Sequence, residues 1–154
     1  MSALAGILLI APQLATASPH EAAARVAEGI KHFQAGDYKA ADKAFTDAEN
    51  VHPDEAKIPF DRACALAAQG EFDKAIELFQ QCAAARDPEL AALSQYNLAD
   101  VYTQKAKGLL GDKPEDAAPN VRQVMEFIEA AAGHYRDCLQ MDSRNKSAHT
   151  TSNY

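Results

Sequence analysis

Five histidines (His20, His32, His52, His134 and His149) and three cysteines (Cys64, Cys82 and Cys138) are the side chains of this sequence most able to hold a metal or attack a substrate. The histidines share no ligand spacing among themselves, and no Cys-x-x-Cys occurs, so neither set reads as a metal site. The phosphate-binding G-x-x-x-x-G-K-S/T loop, the H-E-x-x-H zinc helix, the G-x-S-x-G nucleophile turn and the dinucleotide glycine fingerprint are all missing. Acids such as Glu115 and Asp116 fall in a Gly- and Pro-rich stretch, where nothing implies a shifted pKa. The expectation is a protein that is not an enzyme and uses no metal or cofactor. The cysteines read as small buried side chains, since a free cysteine packs like a small hydrophobe, and His32 reads as a packing residue.

The elements that would position any binding residues show themselves as a repeat. Gly36-Asp37-Tyr38-Lys39-Ala40-Ala41 recurs as Gly70-Glu71-Phe72-Asp73-Lys74-Ala75, and the same offset carries Phe45 onto Phe79 and Ala48 onto Cys82. A period of this length, in the range of about 20–50 that marks stacked repeats, points to an array of like units. Antiparallel helices approach closely only where small residues face each other, and large ones fill the gaps between neighbouring pairs. Gly29 and Ala41 are then the small crossing points of a first unit over 22–55, with Phe45 as filler. Ala63, Ala75 and Phe79 answer in a second unit over 56–89. Gly36 and Gly70 stand at the turns between helices, where positive φ ends a helix cheaply. Pro59 must shorten or bend the start of its helix.

A third unit, 90–143, opens on the helix-start signal Asp87-Pro88-Glu89. Its first helix carries Tyr96-Asn97-Leu98-Ala99-Asp100-Val101-Tyr102 and ends near Lys107, followed by a loop-like insertion over 108–120. The apolar stripe resumes at Val121 and runs through Val124, Phe127, Ile128, Ala131, Ala132, Tyr135, Cys138 and Leu139 at helical spacing. Residues 144–154 read as the start of a separate, incomplete C-terminal helix. An array stopping there would expose an apolar face, to be covered by a partner or a second copy.

Composition supports helices: the chain is alanine-rich, with only 7% aromatic residues. A net charge of −7 without any Lys/Arg cluster excludes nucleic acid as a partner. Residues 1–17 hold no charged side chain and include Leu4-Ala5-Gly6-Ile7-Leu8-Leu9-Ile10, followed by Ala15-Thr16-Ala17. This pattern reads as a signal peptide with a small-x-small cleavage site, although it lacks the usual basic start. Cleavage after Ala17 would place Ser18-Pro19-His20-Glu21, a capping-box spacing, at the new N-terminus. The expected compartment is periplasmic or secreted, with the cytoplasm as the alternative; an oxidising compartment would permit a disulfide or an intermolecular bridge.

The repeat period, with its small and bulky positions, resembles that of the tetratricopeptide repeat family over residues 22–143. The resemblance implies an all-α solenoid of antiparallel helix pairs, with about three repeats and the third split. The layout also resembles the exported repeat proteins of bacterial aerotolerance clusters, which implies a von Willebrand factor A-domain protein as partner. Family members bind peptides or protein surfaces in a groove lined by the first helix of each repeat. On this sequence the groove positions are Val26, Ile30 and Phe33, then Lys57, Phe60, Asp61 and Cys64, then Tyr96, Asn97, Asp100 and Gln104. That lining is apolar at one end and polar to acidic at the other. Only Lys57 and Asn97 suit a clamp for a C-terminal carboxylate, and Asp61 and Asp100 would repel one. The expected function is therefore a protein-binding adaptor whose ligand carries apolar anchors and a basic or amide-donating group. Self-association as a scaffold or homo-oligomer, and a small-ligand or metal carrier using 108–120, are the rival readings.

Overall fold

The computed structural model describes residues 19–111 and 120–151, with side chains described over 20–111 and 120–144. The signal-peptide reading of 1–17 and the core of the 108–120 insertion lie outside these residues. Among the described residues six α-helices form: α1 Pro19–Gln34, α2 Tyr38–Val51, α3 Lys57–Ala68, α4 Phe72–Ala83, α5 Pro88–Leu110 and α6 Val121–Thr151. The same residues contain no strand. Each helix packs on its chain neighbour, so the first four make two helix pairs, and α5 with α6 makes a third. This is the expected all-α solenoid.

The two tight turns are built alike, because each has a glycine where the chain must leave α-space with φ positive. Gly36 has φ 78° and Gly70 has φ 80°. At the first turn Gly36 N–H donates to Phe33 O and Asp37 N–H to His32 O, each at 3.0 Å. At the second, Gly70 N–H donates to Ala67 O at 3.0 Å and Glu71 N–H to Leu66 O at 2.9 Å. This double closure satisfies carbonyls that a helix end otherwise leaves open. The entering helices differ: Asp37 accepts from Ala40 N–H, whereas Glu71 makes no side-chain cap. Asp87 caps α5 by accepting from Glu89 and Leu90 N–H, with Pro88 as the first helical residue. At α3 the cap residue is Ala56, which offers no side-chain bond, and Pro59 lies in the first turn; α3 is 12 residues long against 16 for α1.

Two apolar clusters follow the repeat. Phe45 sits among Ala41, Ala48, Ile58 and Ala65, with Val26 and Phe33 against them. Phe79, its counterpart one period further on, sits among Ala63, Leu66, Ala75, Ile76, Leu98 and Val101. Fully burying one such ring contributes roughly 1.5–3 kcal/mol. Between the first pairs, Arg62 of α3 reaches back to Asp42 and Glu49 of α2.

Several expectations fail, most of them in the third unit. The helix that was to end near Lys107 runs on to Leu110, through Gly108. Gly108 falls in the last turn, and the helix ends at Gly111, whose φ is positive. No boundary occurs after Ser143, and α6 is one 31-residue helix rather than two. Met141-Asp142-Ser143 contains no glycine or proline to stop it, and Ser143 Oγ donates to Gln140 O within the helix. Tyr135, spaced from Ala131 as Phe79 is from Ala75, is half-buried where Phe79 is fully buried. It stacks edge-on against Tyr96 at 5.7 Å, while Phe127 and His134 pack on Tyr102. His32 is half-exposed beside Glu28 rather than in the core. Of the three cysteines only Cys82 is buried; Cys64 and Cys138 are half-buried, and all three are free thiols.

Candidate functional site

The first helices of successive pairs, α1, α3 and α5, border two clefts. α3 packs on α2 and α4, leaving space beside α1. That cleft, about 460 Å³, is floored by Ala22, Val26, Ala27 and Ile30 of α1 and Ile58 of α3, with His52, Glu55, Lys57 and Asp61 at its polar edge. A smaller extension of about 230 Å³ continues past Ile30 to Phe33, Phe45, Asp61 and Cys64. The second cleft, about 310 Å³ between α3 and α5, has Phe60, Leu90 and Leu93 at its base and Glu55, Lys57, Asp87 and Glu89 around it.

The small side chains of α1 explain the first opening. Alanine at 22, 23 and 27 gives that face little reach, so only Val26 and Ile30 project across it, and Ile30 stays exposed. Four acids, Glu55, Asp61, Asp87 and Glu89, edge the two clefts against one lysine. Lys57 is committed: its Nζ lies 2.9 Å from Asp61 Oδ1 and 5.8 Å from the Phe60 ring centroid. Phe60 in turn packs edge-on against Phe79, centroids 5.5 Å apart, anchoring the rim to the core. Cys64, at the end of the first cleft, has its thiol pushed up to about 12, first by burial and next by the Asp61 carboxylate. It stays protonated at neutral pH and is a poor nucleophile.

The structure brings Val26, Ile30, Phe33, Lys57, Asp61 and Cys64 together on the first cleft, with Phe60 on the second. The third set disperses. Tyr96 lines a separate recess between α5 and α6, beside Leu93 and Cys138. Asn97 donates its side-chain amide to Leu93 O at 2.8 Å, one turn back on its own helix, and Gln104 donates to Asp100 Oδ2 at 2.7 Å. None of these last three lines a described cleft. The polar end of the expected groove is thus spent on bonds within α5, and the acidity comes instead from Glu55, Asp87 and Glu89. Sequence reasoning missed these three. The signal lay in the acid-rich helix starts between units, which read as caps and not as a rim. Among the described residues no group of three or more His, Cys, Asp or Glu is placed to hold a metal ion, and no helix is long and apolar enough to cross a membrane.

A stack of helix pairs with glycine-closed turns, a phenylalanine filler once per period and open clefts between first helices defines a helical repeat array of the binding type. The chain belongs to the tetratricopeptide repeat family: the family model described as "Tetratricopeptide repeat" matches residues 26–85 and again 60–119, the second match displaced from the first by the period that separates Phe45 from Phe79. No curated protein matches the chain. Tetratricopeptide repeats mediate protein–protein interaction, and as a class they are not catalytic.

Proposed function

We propose that this protein is an adaptor that holds an extended or helical segment of another protein in the α1–α3 cleft, the segment having apolar anchors and at least one basic group. The observation that carries the reading is the apolar floor of Val26, Ala27, Ile30 and Ile58 beneath an edge of carboxylates. Apolar anchors would supply the affinity, since each aliphatic side chain removed from water contributes roughly 1.5–3 kcal/mol. The acidic edge would supply orientation and partner choice. A C-terminal carboxylate suits the cleft poorly, because Lys57 is already paired with Asp61 and Asn97 points its amide at its own helix. The uncharged segment ending at Ala17 supports a place in the bacterial envelope. The likeness in layout to the aerotolerance-cluster proteins supports a von Willebrand factor A-domain protein as the partner.

Fluorescence anisotropy with leucine-anchored dodecapeptides, each made in a lysine-flanked and a glutamate-flanked version, tests the cleft. The lysine version is expected to bind about tenfold tighter, equivalent to about 1.4 kcal/mol. Ile30→Glu should abolish binding with the melting curve retained, because Ile30 lines the cleft yet is exposed. Tight binding of an acidic C-terminal peptide that Asp61→Ala does not strengthen would sink the reading. Recovery of the mature chain starting at Ser18 from an envelope fraction checks the compartment, and an intact Met1 in the cytoplasm would refute it.

A further inference from the structure

The two clefts and the recess at Tyr96 adjoin one another. The α1–α3 cleft, about 460 Å³, and the α3–α5 cleft, about 310 Å³, share Glu55 and Lys57 in their linings. The α3–α5 cleft and the α5–α6 recess, about 260 Å³, share Glu89 and Leu93. Three recesses therefore lie in a row, divided first by the start of α3 and then by the start of α5. Each has an apolar base, made by Val26 and Ile58, then Phe60 and Leu90, then Leu93 and Tyr96. Ile30, Leu93 and Tyr96, all exposed, stand along this row. A carboxylate marks each divider: Glu55 and Glu89 are both exposed, and they are one repeat period apart, as Phe45 and Phe79 are. Neither is spent on a helix start, since α3 has no side-chain cap and Asp87 caps α5. Lys57, the lysine beside them, is held by Asp61 at 2.9 Å.

We infer that one extended segment of the partner crosses all three recesses, with an apolar side chain at every third position and a lysine or arginine between anchors. The inference rests on the adaptor reading above and specifies the pattern that reading recognises. Stepping from one recess to the next crosses one helix, about 8–10 Å. A β-strand returns a side chain to the same face after about 6.6 or 13 Å and misses that step. A polyproline II segment returns one every three residues, about 9.3 Å, and meets it. An α-helix comes close with every seventh residue, about 10.5 Å. Three anchors then take about fifteen residues against about seven, and every residue ordered on binding costs conformational entropy. The polyproline II form is also largely set before binding, and its backbone groups stay in water, as a segment lying over the surface needs. A basic side chain between anchors comes over a divider, opposite Glu55 or Glu89, where an acidic one would meet like charge.

Fluorescence anisotropy on the full chain tests this with two labelled peptides of one composition. Leu-Lys-Pro-Leu-Lys-Pro-Leu sets its anchors three apart, and Leu-Lys-Leu-Lys-Leu-Pro-Pro sets them two apart. The first is expected to bind about tenfold tighter. Leu93→Ser should weaken it about fivefold or more with the melting curve retained, because Leu93 borders the second and third recesses and is already 47% exposed. Glu55→Gln and Glu89→Gln should each weaken the first peptide about threefold and leave unchanged a version with glutamine in place of both lysines. Equal affinity for the two spacings, a lysine peptide indifferent to both glutamine variants, or binding that is lost in Ile30→Glu yet unchanged in Leu93→Ser would overturn the three-recess inference and leave the α1–α3 reading standing. Absence of binding by every peptide overturns both.

Discussion

Replacing Gly29 by alanine sets two physical effects against each other, and the structure decides between them. Alanine is the better helix former by about 1 kcal/mol, so on α1 in isolation the change would stabilise. A Cβ at position 29, however, would stand 2.4 Å from Phe45 Cε1, 2.6 Å from Cδ1 and 2.9 Å from Cζ. Carbon atoms rest about 3.5–4.0 Å apart, so the ring or the helix must retreat by about 1 Å. Phe45 has little freedom to retreat: it is 2% exposed and packed among Ala41, Ala48, Ile58 and Ala65, with only its cleft edge open. Overpacking of this kind costs about 1–3 kcal/mol, and the lower end would only cancel the helical gain. Three ring atoms this close place the site at the upper end. The expected net loss is about 1–2 kcal/mol, a fall in Tm of about 2–8 °C at this chain length.

The assay is thermal and urea unfolding of Gly29→Ala, Phe45→Leu and the double variant. Phe45→Leu destabilises on its own by removing a filler, and it also vacates the space that the new methyl needs. In that background Gly29→Ala should be neutral or stabilising, giving a coupling of at least about 1 kcal/mol. The second repeat supplies the control, because Ala63 stands at the same place relative to Phe79 and is fully buried. There Ala63→Gly should cost about 1 kcal/mol from helix propensity alone. A Gly29→Ala protein that melts higher, by the same margin in both backgrounds, would refute the steric reasoning.

Two further outcomes follow from buried titratable groups. The pKa of His134 is lowered from 6.5, chiefly by burial, while Asp137 opposes the shift; its Nδ1 lies 2.7 Å from Gln95 Oε1 and its ring stacks on Tyr102. The unfolded chain therefore takes up this proton first as pH falls, so stability should drop below about pH 6.5 and stop dropping once the folded-state pKa is passed. Urea midpoints measured from pH 8 to 5 should show that slope flattened in His134→Gln, and an identical slope in the variant would refute the assignment. Burial pushes the Cys64 thiol up to about 12 and the Cys82 thiol up to about 11, with Asp61 and Glu49 adding to the respective shifts. Iodoacetamide at pH 8 should therefore spare Cys64 and Cys82 in the native protein and label all three thiols in urea, read by intact mass. Rapid labelling of Cys64 or Cys82 in the native state would contradict these shifts.

How far the sequence could be read depended on whether one residue type has one use. A glycine followed by an acid at positions 36 and 70, and an acid followed by proline at 87, have few conformational options, and both turns and the α5 cap appear where those residues stand. The phenylalanine period was legible for the same reason, since only one position per repeat has room for the ring. Asn97, Asp100 and Gln104 have several options each, and which one wins depends on neighbours one turn away on α5. The apolar floor of the first cleft was hidden differently: Ala22, Ala23 and Ala27 read as ordinary helix formers, and their role appears only when α3 stops short of them. The run through Met141-Asp142-Ser143 was misread because the weak helix formers Asp142 and Ser143 resemble a boundary, although each costs only about 0.5 kcal/mol.

The departure from the repeat period and the exposed apolar surface have one cause. Helices α1 to α4 are 12 to 16 residues long, so each is about 18–24 Å in length, and its chain neighbours cover it. The third pair breaks the pattern, with α5 at 23 residues and α6 at 31, about 35 and 46 Å. A helix of that length presents more apolar surface than one partner can bury, and α5 reaches only one side of α6. Val121, Met125, Ile128 and Leu139 of α6 accordingly stay exposed.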